Sequence, residues 1–509
     1  MDNTSTKNIR VGAILTYLTQ FLSIAISFVY VPIMLKMLGQ AEYGLYSIVQ
    51  SLISYLQMSE MGIGTTATRY NSKYIAQNDA DGQRTINGMF FKLYLGIAAV
   101  CMAVATVIFF CLDSIYAKYS AQSLQLIKIL FVIAVVNLVI TFVFKIFNAI
   151  VIAYEEYIFL KVISLIQTVL GPVGMLSVLF LGYRSIGMLC VTTMLSLLFG
   201  LTQMFFCLKK YHISFSFQNH DPALFRKIFS FTVFVFINSL ATQMMMNSDK
   251  LVISIIMTEY AVAVYAIVMQ FHTYSYSFAN VLAGFYLPRF TKNVVQTRGV
   301  DDAMMADILK TGRIQVLVAG LIFGGFLAIG KPFIIRWVGM DYVQAYWLTV
   351  IVLITEMVGA SQSMFNSLMQ AMNLHKVRAL LSLALSLLKI VLTVVFTMEF
   401  GLMGCAVAFF LGWLVKQIVF NLYYWKRVGI DIPTFWKRML KLFLPIAAVV
   451  IVLYAAALAM QQILPASSYL ALAVYAGCYA VLYGVILWFT ALNREEKDML
   501  LAVVRKVKR

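Results

Sequence analysis

The chain has 509 residues, of which 62% are hydrophobic and only 12% are charged. Soluble globular domains are about half apolar and about a quarter charged, so this composition excludes an ordinary soluble globule. A formal net charge of +18 also occurs in nucleic-acid-binding proteins, but the positions of the basic residues, given below, exclude that class.

Apolar runs of about 20 residues recur along the chain, which is the length that an α-helix needs to cross about 30 Å of hydrocarbon. The connections are short, and the longest, residues 288–312, is too small for a soluble catalytic domain. The sequence therefore predicts an all-α membrane protein with about fourteen transmembrane helices. The predicted spans are residues 11–35, 43–66, 89–112, 124–148, 160–182, 185–208, 228–257, 262–286, 313–335, 342–372, 377–398, 401–424, 441–463 and 467–491.

Basic residues concentrate in alternate loops between these spans. With the N-terminus placed inside, thirty of the 39 lysines and arginines fall on the inner side and five on the outer side. The positive-inside rule then predicts a multi-pass membrane protein with an even number of spans and both termini in the cytoplasm. The net charge of +18 thus indicates topology rather than a nucleic-acid partner.

The second half of the chain repeats features of the first half at an offset of about 217–220 residues. Residues 43–49 resemble residues 262–268, and the proline-containing linker 222–227 resembles 433–438. Six predicted spans in each half make these parallel repeats, as in transporters whose halves rock around a substrate. We expect two six-helix lobes, followed by two C-terminal helices and a basic cytoplasmic tail. The predicted boundaries are 1–227, 228–440 and 441–509.

Several motifs occur in an order that is known from one family of membrane proteins. They are Leu38-Gly39-Gln40-Ala41-Glu42-Tyr43-Gly44-Leu45-Tyr46, Glu60-Met61-Gly62-Ile63-Gly64, Arg69-Tyr70, Asp249-Lys250 and Ala263-x-Tyr265. With the fourteen-span layout, they resemble the Wzx-type polysaccharide and O-antigen flippases of the multidrug/oligosaccharidyl-lipid/polysaccharide exporter superfamily. The family usually has Asp where this chain has Glu60, which keeps the charge. The resemblance extends over nearly the whole chain.

The resemblance implies a transporter rather than an enzyme. Its cargo would be an undecaprenyl-diphosphate-linked oligosaccharide, moved from the cytoplasmic to the outer leaflet by alternating access for surface polysaccharide biosynthesis. The implied partners are this lipid-linked oligosaccharide, membrane lipids, and the polysaccharide polymerase and chain-length proteins. No cofactor or nucleic acid is expected, although a proton or Na⁺ gradient can be coupled to such transport.

Charged and polar residues inside the predicted spans are the candidate site residues, because a charge near the bilayer centre costs about 3 kcal/mol or more and usually faces a cavity or a partner. Lysine suits a diphosphate, since its ammonium is a compact point charge. The predicted substrate-binding residues are Lys389, Lys416, Lys250, Arg69, Asn238, Gln243 and Gln270. The residues predicted to serve ion coupling or charge pairing are Glu60, Asp249 and Glu356.

Each of these residues also has a purely structural interpretation. Glu356 can neutralise Lys389 from the neighbouring helix without any contact to a substrate. Asp249 and Lys250 are about 100° apart on a helix, so one can face a cavity while the other pairs elsewhere. The polar amides can form hydrogen bonds between helices instead of binding sugar hydroxyls. Lys145, near the end of a span, is expected to extend toward the membrane surface.

Two other classes of function remain open from the sequence. A cation-coupled multidrug exporter of the same superfamily needs acidic groups in an apolar cavity, whereas intramembrane basic residues here match or outnumber the acidic ones. A membrane polysaccharide polymerase or acyltransferase is disfavoured by the short outer loops and by the lack of an Arg- or His-centred cluster. His272 stands alone in its span and is expected to make a packing or polar contact. No catalytic residue or metal site is predicted.

Overall fold

The computed structural model is all-helical over the residues that it describes, which are 3–60, 62–217, 222–279, 290, 301–372, 374–463 and 468–498. These residues contain fifteen α-helices, with a π-helical turn at Tyr424–Val428. The α-helices are α1 (Asn3–Leu38), α2 (Gln40–Gln57), α3 (Ile63–Ala76), α4 (Ala80–Ile115), α5 (Ala121–Ala153), α6 (Tyr157–Phe180), α7 (Arg184–Tyr211), α8 (Pro222–Ile256), α9 (Glu259–Ala279), α10 (Asp302–Trp337), α11 (Ala345–Ser361), α12 (Ser363–Ala371), α13 (His375–Tyr423), α14 (Ile432–Ile463) and α15 (Tyr469–Thr490).

Nine helices within the described ranges are long and apolar enough to cross a membrane, and α11 with α12 makes a tenth if this pair, bent by 48°, is one span. The 49-residue α13 contains two of the predicted spans, which meet at Gly401, where φ is 58°. Within the described residues, twelve of the fourteen predicted spans each follow a single helix or one half of α13 to within a few residues. The other two are broken: span 43–66 after Gln57, where α2 ends, and span 342–372 at Gln362, between α11 and α12. Residues 280–286 of the eighth span and the predicted basic tail beyond residue 498 lie outside the described residues. The prediction of an all-α membrane protein is confirmed.

The sequence explains both the helices and their ends. In hydrocarbon the backbone must satisfy its own hydrogen bonds, so long apolar runs fold as helices. At five helix starts a side chain accepts a hydrogen bond of 2.7–3.1 Å from the backbone N–H three residues later, as N-capping requires. These residues are Asp79, Ser120, Asp301, Asp431 and Ser468. Capping extends α10 back to Asp302, well before the predicted start of its span at residue 313.

The helices divide into two compact units. The first comprises Met1–Ala263 together with Ala379–Ile390 of α13, and the second comprises Val264–Arg378 and Val391–Arg509. The lobe boundaries predicted at residues 227 and 440 stay a prediction.

The first unit has an aromatic and aliphatic core between α3, α4, α5 and α7. Phe90 and Tyr94 of α4 and Ile150 of α5 are fully buried there, and Cys207 of α7 packs against them. α5 is the central helix of this unit, since it packs against α2, α3, α4 and α7.

The connection between α5 and α6 is fixed to the end of α7 by Glu156. Its carboxylate accepts a hydrogen bond of 2.5 Å from the Tyr211 hydroxyl and another from Lys210. Partial burial alone would raise the pKa of Glu156, but the hydrogen bonds from Lys210 and Tyr211 outweigh it and lower the pKa below its ordinary value. The carboxylate therefore stays ionised at neutral pH.

The second unit is built around α10, which packs against α11, α14 and α15. Val316, Leu442 and Ile446 form its fully buried centre. Glu496 follows the end of α15, and both of its carboxylate oxygens accept hydrogen bonds from Arg313 of α10, at 2.6 and 3.0 Å. This bidentate pair fixes the end of the described chain to α10.

Gly44 permits a close approach between two backbones in the first unit. A Cβ atom at this position of α2 would lie 1.9 Å from the carbonyl oxygen of Glu259, at the start of α9. Any other residue would force the two segments apart. The Tyr43-Gly44-Leu45 motif thus contains a glycine that packing requires.

We expect Gly44→Ala to destabilise the protein by about 1–3 kcal/mol, the usual cost of overpacking. The midpoint of thermal unfolding in detergent would fall. The matched control is Gly96→Ala in α4, where no atom lies within 4 Å of the added Cβ, so its midpoint should not fall. Equal midpoints for the two variants would contradict the close approach.

Candidate functional site

The first unit contains a fully buried ion pair between Lys389 of α13 and Asp249 of α8. Both side chains are 0% exposed. The ammonium contacts Oδ1 of Asp249 and donates a second hydrogen bond, of 3.1 Å, to Oγ of Ser248. Burial of one charge without the other would cost several kcal/mol, so the pair is a unit.

The sequence left the partner of Lys389 open, and the structure shows Asp249 in contact with it. The carboxylate of Glu356 contacts His272 within the second unit. The roles predicted for Asp249 and Glu356 stay predictions. The predicted role of Lys389 in substrate binding is not addressed by this contact and stays a prediction.

A second ion pair of the first unit joins Glu60, at the break between α2 and α3, to Lys145 of α5. Oε2 of Glu60 lies 3.1 Å from Nζ of Lys145, and the side chains are 28% and 35% exposed. The expectation that Lys145 only extends toward the membrane surface missed this partner. Two of the three predicted acidic residues thus contact lysines.

The other predicted residues of the first unit are dispersed. Gln243 of α8 donates a hydrogen bond to Ser54 of α2, which is the interhelical role that the sequence left open for it. Asn238 and Lys250 are half-buried on α8, and Arg69 is exposed on α3. In the part of the chain that is described, neither Lys250 nor Arg69 has an ion-pair partner.

The second unit holds a buried contact between an imidazole and a carboxylate. Nε2 of His272 on α9 lies 2.7 Å from Oε1 of Glu356 on α11, and the side chains are only 1% and 4% exposed. The atoms are within ion-pair distance, although they are not aligned as a hydrogen bond. His272 thus makes the polar contact expected for it, with a partner that the sequence did not identify.

Aromatic rings connect this contact to Lys416. The ring of His272 lies 5.2 Å from that of Phe409, which lies 6.2 Å from that of Trp413. Nζ of Lys416 lies 4.6 Å from the Trp413 ring centroid, a cation–π geometry. Three of these residues follow one face of α13 at spacings of four and three.

Arg378, at the start of α13, belongs to the same cluster. Arg378 is half-buried, and its charge interacts with the phenols of Tyr276 on α9 and Tyr424. It also repels the charge of Lys416. Tyr276 also lies within reach of the Glu356 charge. No carboxylate of the described residues forms an ion pair with Arg378 or Lys416.

We call this set the second-unit cluster; it consists of Tyr276, His272, Glu356, Arg378, Phe409, Trp413, Lys416 and Tyr424. Gln270, one helical turn from Tyr274, donates a hydrogen bond of 2.6 Å to the Tyr274 hydroxyl.

The sequence did not identify Arg378 as a site residue, because it lies at the edge of a predicted span and resembled an inner-loop charge. The only available signal was its position as the second residue of that span, 377–398.

A separate apolar groove of about 720 Å³ runs between α10 and α15 in the second unit. Its lining includes Leu317, Leu321, Tyr483 and Trp488, and its one charged residue is Glu496.

Comparison with known proteins assigns the family. The family described as polysaccharide biosynthesis protein matches residues 9–294, more than half of the chain. The chain belongs to this family. The chain is similar to the uncharacterized membrane protein EpsK of Bacillus subtilis, with 22% identity over 500 residues. The aligned region covers 96% of this chain and 97% of EpsK.

Solved structures show which fold this member of the polysaccharide biosynthesis family adopts. It is similar to the lipid II flippase MurJ in an inward closed conformation, with a TM-score of 0.71, 14% identity and coverage of 94% of this chain and 98% of MurJ. A multidrug resistance MATE transporter of the MOP superfamily, in an inward-facing conformation, gives a TM-score of 0.61 at 14% identity, covering 82% and 96% of the two chains. The fold is thus that of MOP-superfamily transporters, as the sequence motifs predicted.

Asp249→Asn should destabilise the protein by about 3–5 kcal/mol, because it leaves the Lys389 ammonium buried without a counter-charge. Adding Lys389→Met to that variant should recover most of the loss. The measurement is the midpoint of thermal unfolding of the single and double variants in detergent. Lys416→Met is the comparison, since a half-buried lysine that pairs with no described carboxylate should be replaced at little cost. Similar losses for Asp249→Asn and Lys416→Met would contradict the pairing.

Proposed function

We propose that this protein is a flippase that moves an undecaprenyl-diphosphate-linked oligosaccharide from the cytoplasmic to the outer leaflet of the bacterial inner membrane. Membership of the polysaccharide biosynthesis family supports a sugar cargo. The similarity to a solved lipid II flippase supports a fold that can carry a lipid-linked sugar. By this proposal the protein acts by alternating access in surface polysaccharide biosynthesis, as Wzx-type O-antigen flippases do.

The observation that carries the proposal is the surplus positive charge of the second-unit cluster. Arg378 and Lys416 both lie in the membrane-spanning helix α13, repel each other, and form no ion pair with a described carboxylate. Two cations that share an apolar environment attract an anion strongly, because the interaction is weakly screened there. A diphosphate carries about two negative charges and matches the pair in sign and magnitude.

The same charges argue against the multidrug-exporter alternative. A site for a cationic drug needs an available carboxylate, whereas the three acidic residues that the sequence singled out each contact a basic side chain. These contacts are Glu60 with Lys145, Asp249 with Lys389, and Glu356 with His272. Since drug exporters and lipid flippases share the fold, the charges rather than the fold favour the anionic cargo.

The remaining parts of the proposal follow from the sequence. The basic residues of the inner loops support a cytoplasmic position for both termini. The two predicted lobes, 1–227 and 228–440, would expose the cargo alternately to the two sides, with helices α14 and α15 appended. The apolar groove between α10 and α15 offers a surface for the prenyl chain. A polysaccharide polymerase and chain-length proteins would act on the exported sugar.

Transport can be tested in liposomes that contain the purified protein and a fluorescent undecaprenyl-diphosphate-linked oligosaccharide. Protein-dependent exposure of the sugar to an added lectin is expected. Arg378→Gln and Lys416→Gln should each lower the rate by about tenfold, since a hydrogen bond to a charged group contributes about 1.5–3 kcal/mol. The control is Lys128→Gln, which removes a partly exposed lysine paired with Asp113 and should leave transport unchanged.

Undiminished transport by the double variant would exclude the two cations as the diphosphate site. Efflux of cationic dyes by a wild-type protein that does not move the lipid-linked sugar would favour the multidrug exporter.

A further inference from the structure

Trp413 carries a hydrogen-bond donor that none of the contacts described above uses. Its side chain is only 9% exposed, and within the described part of the chain Nε1 donates no hydrogen bond. An indole N–H can only donate, and a buried donor that finds no acceptor costs free energy. Buried tryptophans therefore normally place this N–H against an acceptor. The position of Trp413 in the second-unit cluster indicates where such an acceptor binds.

The neighbours of the indole are a cation and an aromatic ring. Nζ of Lys416 lies 4.6 Å from the Trp413 ring centroid, and the ring of Phe409 lies 6.2 Å from that of Trp413. An ammonium has three donors and no lone pair, and a phenyl ring has no oxygen or nitrogen. Neither neighbour can therefore accept the hydrogen bond from Nε1.

The charge distribution of the indole ring suits it to contact a cation and an anion together. The face of an aromatic ring is negative and its edge is positive. The ammonium of Lys416 lies over the face of Trp413, as in a cation–π interaction. The Nε1–H bond lies at the positive edge, which attracts an anion. An anion can thus contact the cation above the ring and the donor at its edge.

Helix α13 keeps the donor and the cation next to each other. Trp413 and Lys416 are three residues apart, so their side chains lie on one face of the helix. Arg378, at the start of the same helix, repels the charge of Lys416. An anion that these two charges attract to Lys416 therefore binds beside the indole.

We propose that the N–H of Trp413 donates a hydrogen bond to a phosphate oxygen of the bound cargo. The inference rests on the proposed function, since the anion is the diphosphate that Arg378 and Lys416 attract. An ammonium is a point charge whose three donors rotate freely, so it attracts an anion without fixing its orientation. A buried indole points its single donor in one direction. Trp413 is therefore the residue that orients the diphosphate beside Lys416.

Calorimetry of the full-length protein in detergent, with inorganic pyrophosphate as the probe, can measure this contribution. Trp413→Phe keeps an aromatic face under Lys416 and removes the N–H. Its Kd for pyrophosphate should rise about tenfold, the usual effect of removing a hydrogen bond to a charged group. The matched control is Trp347→Phe, at the half-exposed start of α11, whose Kd should equal that of the wild type.

A second replacement separates the N–H from the shape of the ring. Benzothienylalanine at position 413 keeps a bicyclic ring of nearly the same size and has sulfur in place of the N–H. It should weaken pyrophosphate binding as much as Trp413→Phe does, with an unchanged midpoint of thermal unfolding. A wild-type affinity in this variant would show that packing under Lys416, rather than the N–H, is what Trp413 contributes, and would overturn the proposal.

The hydrogen bond itself can be observed by ultraviolet resonance Raman spectroscopy, in which one indole band reports hydrogen bonding of the N–H. Pyrophosphate should shift this band in the wild type, and the shift should be absent in the benzothienylalanine variant. Weaker pyrophosphate binding by Trp413→Phe without a band shift in the wild type would contradict a direct contact.

The outcomes distinguish this inference from the proposed function. Equal pyrophosphate affinity in the wild type and Trp413→Phe would overturn the role of Trp413 and leave the proposed cargo standing. Absence of pyrophosphate binding by the wild type would overturn this role and the anion site together. Slower transport of the lipid-linked sugar by Trp413→Phe with unchanged pyrophosphate binding would overturn the contact with phosphate.

Discussion

The cost of placing charge in an apolar medium is the constraint on which the interior of this protein depends. An ammonium or carboxylate that leaves water needs an opposite charge nearby, or its burial is too unfavourable. In the first unit, Lys389 meets this need with Asp249 and Lys145 meets it with Glu60. In the described part of the second unit, neither Arg378 nor Lys416 forms an ion pair with a carboxylate, and Lys416 lies over the ring of Trp413. Under the proposed function, Arg378 and Lys416 of the second unit supply positive charge to the cargo.

The same fold serves proteins with different cargoes, so the distribution of charge has to be considered separately from the arrangement of helices. A lipid II flippase and a multidrug transporter both resemble this chain at 14% identity. At this identity the likeness concerns the backbone alone. The choice between a sugar-lipid and a drug depends on a few side chains, and Lys416 and Glu356 are the ones that distinguish the two hypotheses most clearly.

The sequence predicted the helices well because the bilayer imposes one length and one composition on each span. Helix ends were predicted less well, since α10 continues to Asp302 through polar turns that hydropathy assigns to a loop. The partners of charged residues could not be predicted. Lys389 and Asp249 are 140 residues apart, and Glu356 is nearer in sequence; only the packing of α8 against part of α13 decides between them.

The sequence predicted only part of the candidate site. Lys416 and Glu356 were found because charged residues in apolar runs are conspicuous. Arg378 was not, because a charge at the first turn of a span has the same pattern as a loop residue. His272 was found but left without a partner, since periodicity along α9 says nothing about which side chain of α11 lies opposite.

The ion pair of Arg313 with Glu496 anchors the polar turn that follows α15. Glu496 is only 3% exposed, and Arg313 also donates a hydrogen bond of 3.0 Å to the carbonyl oxygen of Ala491. The turn after α15 is therefore part of the interior of the second unit, even though its sequence is as polar as a tail. A truncation before this turn would be equivalent to a core substitution, because it would leave a guanidinium enclosed without its counter-ion.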